Sequence, residues 1–163
     1  MQSLPPIDLI AAERELCARS FSHFIRRAWR HIIPDEYVHG WHVDAIAEHF
    51  EAVQSGEINR LLVNVPPGTS KSTITGIMYP AWLWGPKGNP QHRFIGAAHE
   101  QGLAVRDSRM MRELVTSHWY QQLWPIALKS DQNEKLYFEN QHKGFRQACA
   151  VGSMTGRRGH TIA

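Results

Sequence analysis

The sequence predicts an α/β domain, a parallel sheet flanked by helices and preceded by N-terminal helices. Three observations predict it. Two short apolar runs, residues 60–65 (RLLVNV) and 93–98 (RFIGAA), read as strands buried on both faces. A helix-period pattern over residues 71–84 lies between them, a crossover of the length that parallel neighbours need. Helical patterns also precede the first run and follow the second, the alternation of an α/β architecture.

The chain has 163 residues, room for one domain or part of one, and is 42% hydrophobic and 20% charged, so a core and a solvated surface can both form. Sixteen aromatics, six of them Trp, exclude a disordered chain. No run of 18 apolar residues occurs and the N-terminus has no basic start, so a cytoplasmic protein without a membrane segment is expected. Cys17 and Cys149 are far apart and read as free thiols, which excludes a disulfide scaffold. The charge is uneven. Residues 1–60 carry six Arg and nine acids, whereas residues 61–163 carry twelve Lys/Arg and six acids, a balance suited to a phosphate-rich partner.

Taken in order, residues 7–32 read as one helix, with Phe21, Phe24, Ile25, Ala28 and Ile32 on one face and Pro34 as the stop. Residues 41–54 form a second amphipathic helix, with Val43, Ile46, Ala47, Phe50 and Val53 inward and Gly56 at its end. Pro66, Pro67 and Gly68 break the first strand. The helix from Lys71 turns Ile74, Ile77, Met78, Ala81 and Trp82 inward, and Pro80 should kink it. Residues 100–116 are helical, with Leu103, Met110, Met111 and Leu114 inward. Residues 119–124 make a short apolar turn. Residues 135–138 and 144–151 form a β-hairpin, and a Gly-rich basic tail follows.

The chemically informative stretch is VNVPPGTSKSTITG, residues 63–76: strand, tight turn, Lys-Ser, helix. That order is the topology of a phosphate-binding loop, in which backbone N–H groups at a helix N-terminus cradle phosphates. Pro67, Gly68, Thr69, Ser70, Lys71, Ser72 and Thr73 are the candidate nucleotide-binding residues. Lys71 would reach the β- and γ-phosphates, and the Ser72 hydroxyl would hold Mg²⁺. The match to G-x-x-x-x-G-K-[ST] is imperfect, because Val65 and Ser70 stand at the glycine positions. Ser70 in a left-handed conformation would cost about 1–2 kcal/mol, and Gly68 could take over the tight turn.

Several blocks in the same order resemble the N-terminal P-loop ATPase region of tailed-phage terminase large subunits, the motors that package viral DNA. They are WHVDAIAEHFEAVQSGEINRLLVNVPP, the loop PPGTSKS, PAWLWG, RFIGAAHEQGLAVRDSRMMRELV and the tail VGSMTGRRGHTIA. The resemblance divides the chain into an N-terminal helical segment, 1–36, and a partial P-loop ATPase domain, 37–163. It implies ATP and Mg²⁺ as cofactors, with Lys71 and Ser72 as the phosphate and magnesium residues. It implies double-stranded DNA, a terminase small subunit, a portal protein and a homo-oligomeric ring as partners, in the cytoplasm of a bacterial host.

Two departures weigh against turnover. Family loops commonly read Pro-Pro-Arg-x-Gly-Lys-Ser, and Gly68 stands where that cis arginine would be. The family's TGRG-like segment leads into a strand ending in two acids, the Walker B strand, and the 163 residues stop before one, as they do before the nuclease domain. Negligible hydrolysis by this chain alone is therefore expected, unless an acid such as Glu100 supplies the missing role. A degenerate, non-catalytic P-loop module that binds DNA or a protein is the alternative. A small-molecule kinase fits the block order less well.

Other candidates are weaker. His39 and His42, with His49, read as structural or surface residues, since no cysteine or carboxylate cluster completes a metal site at known spacing. Trp41 and His42 could border an adenine. Arg106, Arg109 and Arg112 form a stripe that could meet a DNA backbone or be a solvated face paired with Asp107 and Glu113. Arg157 and Arg158 have two readings, an arginine finger offered to a neighbouring subunit or a flexible basic tail.

Overall fold

A computed structural model of the chain describes residues 8–133 and 135–163. Residues 1–7 of the expected N-terminal segment lie outside the described residues. The architecture is mixed α/β: a five-stranded mixed sheet flanked by helices.

The N-terminal region corrects the expectation of one helix over 7–32. Helix α1 (Leu9–Arg19) is capped by Asp8, whose carboxylate accepts the N–H groups of Ile10 and Ala11 at 3.0 and 3.1 Å. Ser20 then turns extended, at φ −133°, and its hydroxyl accepts the His23 N–H at 3.1 Å to start α2 (Phe21–Trp29). A serine hydroxyl competes with the helix ladder for backbone donors, which is why the break falls there. Helix α3 (Trp41–Ser55) ends as expected at Gly56, in the left-handed region at φ 85°.

Helix α4 covers residues 71–84 and has three parts: Lys71–Thr73, a π-helical turn Ile74–Met78, and Tyr79–Trp84. The disturbance expected at Pro80 takes the form of that π turn. The Tyr79 N–H reaches the Ile74 carbonyl five residues back, so the ladder gains a residue just before the proline that cannot donate to it. Strand β1 (Phe94–Ala98) follows, then α5 (Gln101–Thr116) and α6 (His118–Leu123). Helix α5 presents Ala104, Ser108, Met111, Leu114 and Val115 inward. Leu103, expected inward, is 44% exposed because that stripe lies one position later.

The remaining strands are β2 (Leu128–Asn133), β3 (Tyr137–Asn140), β4 (Phe145–Ala150) and β5 (Thr161–Ile162), in spatial order β2-β3-β4-β1-β5. Strand β1 runs parallel to β4, with Phe94 opposite Arg146 and Ala98 opposite Ala150, and parallel to β5. The hairpin β3–β4 forms as expected and is antiparallel, as is β2–β3, so the sheet is mixed rather than wholly parallel. The tail is tied down: the Ala163 N–H donates to the Ile95 carbonyl at 2.9 Å and the His160 N–H to the Arg93 carbonyl at 2.9 Å.

Residues 60–65 correct a second expectation. The segment is not a strand. Leu61 and Val63 pack half-buried against the core while Leu62 is 84% exposed. Both edges of β1 are occupied, by β4 and β5, so the expected pairing of 60–65 with β1 has no free edge to use.

The core lies where α2, α3 and α4 meet the sheet. Phe21 packs on Trp82 with centroids 4.9 Å apart, and Phe50 on Tyr79 at 4.5 Å. The Trp82 indole N–H donates to the Cys17 carbonyl at 2.7 Å, which ties α1 to α4. This packing anchors the Tyr79–Trp84 part of α4 in the core. No described helix is long and apolar enough to cross a membrane.

Candidate phosphate-binding site

The turn before α4 uses two residues in the left-handed region. Gly68 has φ 83° at no steric cost, and Ser70 has φ 59°, as the loop reading requires. The Thr69 hydroxyl donates to the Pro66 carbonyl at 2.8 Å and closes the turn. The first backbone bond of the helix runs from the Ile74 N–H to the Ser70 carbonyl at 3.0 Å. The N–H groups of Lys71, Ser72 and Thr73 are therefore the open donors of a helix N-terminus, where the helix dipole favours an anion. Lys71 is half-buried, and Ser72, Pro67 and Gly68 are exposed.

Lys71 and Ser72 open on a cavity of about 600 Å³. One wall is Leu61 and Val63, the opposite wall is the end of β1 with Ile162 and Ala163, and α5 contributes Arg106 and Asp107. The space thus lies between the unpaired 60–65 segment and the β1–β5 part of the sheet.

Sequence reading missed the cavity's most unusual residue, Arg146 of β4. It is 1% exposed, and its Nε and Nη1 are buried without a hydrogen-bond partner. Burial pulls its pKa down to about 10, a shift partly offset by the Asp107 charge, so the guanidinium stays protonated at neutral pH. Space for it comes from Gly96 on β1: a Cβ there would lie 2.3 Å from Nη2 and 2.6 Å from Cζ. Asp107 is engaged elsewhere, accepting Nε and Nη2 of Arg106 at 3.0 and 2.7 Å. A signal was present in GFRQACA, where a charged residue occupies an inward phase of the strand alternation.

Apart from Arg106, the other sequence candidates lie away from the cavity. Arg157 donates through Nε to the Ser153 carbonyl at 2.8 Å, Arg158 is exposed, and neither lines the cavity. Trp41 is 82% exposed at the start of α3, and neither it nor His42 lines the cavity. Glu100 is exposed after β1 and also lies outside it. His39 is held by Asp44 at 2.9 Å and by Tyr37 at 3.1 Å. In the arginine stripe, Arg106 pairs with Asp107 and Arg109 with Glu113 at 3.9 Å, the solvated-face arrangement.

One group of metal-type ligands was not anticipated. Glu13, Cys17 and His23 bring a ligand atom each within 4.8 Å of one another. The Arg27 guanidinium already neutralises Glu13 at 2.5 Å, and burial pushes the Cys17 thiol up to about 12, with the Glu13 charge adding to it. No family model matches the chain, and no curated protein or solved structure is significantly similar to it.

Proposed function

We propose that the chain is the nucleotide-binding part of an ATP-driven DNA-packaging motor of the terminase large-subunit kind. ATP with Mg²⁺ binds at the N-terminus of α4. Its phosphates accept the open N–H groups of residues 68–73, Lys71 pairs with the β- and γ-phosphates, and Ser72 holds the metal. The observation that carries this reading is the pair of left-handed residues, Gly68 and Ser70, immediately before Lys71-Ser72 at the head of a core-anchored helix. Double-stranded DNA, a small subunit, a portal and a ring of identical chains in a bacterial cytoplasm are the partners and setting this reading brings with it. Arg157 or Arg158 would act only on a neighbouring subunit's nucleotide, since neither lines the cavity of its own chain.

A second reading, binding without turnover, is favoured by one observation. The one side-chain carboxylate among the described cavity-lining residues, Asp107, gives Oδ1 to Arg106 and has only Oδ2 left for water or a second metal contact. Both readings share the binding step, which calorimetry tests. Lys71→Ala removes a charge-assisted phosphate contact worth about 1.5–3 kcal/mol, so ATP·Mg²⁺ affinity should fall roughly 10- to 100-fold. Equal affinity in the two proteins refutes the site. A phosphate-release assay with Mg²⁺ and DNA then separates motor from binding module.

A further inference from the structure

We propose that Arg146 makes the inner end of the cavity a second binding site, one that takes a phosphate-type oxyanion and is distinct from the α4 N-terminus. The guanidinium leaves β4 opposite Phe94, passes over Gly96, and brings Nη2 to 3.9 Å from where a Gly76 Cβ would stand. It is thus wedged between two glycines, one on β1 and one on α4. Gly76 lies four residues beyond Ser72, about 6 Å along the helix, so the arginine sits a turn deeper than the loop.

The buried Nε and Nη1 make no hydrogen bond, and the Asp107 charge offsets the burial only in part. Asp107 reaches toward Gly76 with Oδ2, 3.4 Å from that same Cβ position, yet its Oδ1 is spent on Arg106 and it makes no ion pair with Arg146. A buried cation lacking partners costs several kcal/mol, and buried polar groups are otherwise almost always satisfied. Nη2, the guanidinium nitrogen nearest Gly76, is the donor that an entering phosphate oxygen would meet. Thr75, Ser72 and Lys71 line the same space, so an anion entering from the loop side meets donors along its path. The ligand chemistry is a phosphoryl oxyanion, supplied either by free phosphate or pyrophosphate or by the end of a longer phosphate chain.

The test measures thermal unfolding and calorimetric binding of the whole chain in sodium phosphate or pyrophosphate against sodium chloride of equal ionic strength. Wild type should gain stability with phosphate or pyrophosphate. R146Q should unfold in chloride no earlier than wild type, since it loses an unpaired charge, and should bind pyrophosphate at least about tenfold more weakly. K71A should keep that pyrophosphate site, so a failure of the nucleotide reading and a failure of this one are separate results. If ATP competes for pyrophosphate in K71A, the anion is the end of a nucleotide; if it does not, free phosphate or pyrophosphate is the ligand. Identical anion dependence in wild type and R146Q overturns the proposal, as does an absence of any gain in wild type. Should R146Q be unfolded, R146M decides by the same comparison: it fills the space without the charge, and undiminished binding there overturns the proposal too.

Discussion

Gly96→Ala places a methyl group against the Arg146 guanidinium. The new Cβ would lie 2.3 Å from Nη2, 2.6 Å from Cζ and 3.1 Å from Nε, all inside ordinary contact distance. With Arg146 1% exposed, the head cannot escape to solvent without moving its neighbours. Overpacking of this kind costs about 1–3 kcal/mol. The backbone itself has no objection, because Gly96 is not at positive φ and alanine in a strand gains about 0.5–1 kcal/mol over glycine. In an Arg146→Leu background, whose side chain stops short of the guanidinium, the same substitution should therefore be neutral or stabilising. Arg146→Leu alone should be tolerated, since it replaces an unpartnered buried charge by an apolar group. Urea denaturation of the four proteins closes the cycle, with an expected coupling of about 1–3 kcal/mol, the clash alone, because the strand preference is gained in both backgrounds and cancels. Additive effects, or a Gly96→Ala protein as stable as wild type, would show that the guanidinium does not occupy the space over Gly96.

Three further outcomes follow from the same geometry. Asn140 is fully buried, donates to the Pro90 carbonyl at 2.7 Å and accepts the N–H groups of His142 and Gly144 at 2.8 and 3.1 Å, so Asn140→Ala should cost about 2–4 kcal/mol in a denaturant titration. Trp82→Phe orphans the buried Cys17 carbonyl and shrinks a ring at the centre of the core. A loss of about 2–3 kcal/mol is expected, and a midpoint within error of wild type would refute the bond. Burial, with the His160 charge second, pulls His92 down to about 4 from 6.5. The unfolded chain then binds the proton more readily, so the stabilisation from neutral His92 is complete above about pH 6.5 and lost as pH falls toward 4. Because His92 Nε2 meets the Thr161 hydroxyl at 2.8 Å, hydrogen exchange should show β5 loosening over that window, and pH-independent protection there would contradict it.

What the sequence by itself determined is local. The apolar period of three to four residues located α3, α4 and α5, because a helix satisfies its backbone internally and needs only one face to bury. Gly56 announced its left-handed backbone through residue type, Ser70 through its position in the loop pattern alone, and the turn 140–144 announced its hairpin. What only the tertiary structure decided is which backbone edges meet. Residues 60–65 carry a strand's side chains, yet a strand exists only where its backbone pairs, and the expected partner β1 already has β4 and β5 on its two edges. For the same reason β2 was illegible: LKSDQN has no apolar alternation, and its pairing with β3 makes it a strand. The tail at Thr161–Ile162 became a strand because β1 had an open side, and Arg146 became the cavity's charged floor because Gly96, far from it in sequence, lies beside it across the sheet. Pairing and proximity of this kind join residues distant along the chain, and no periodicity within either segment records them.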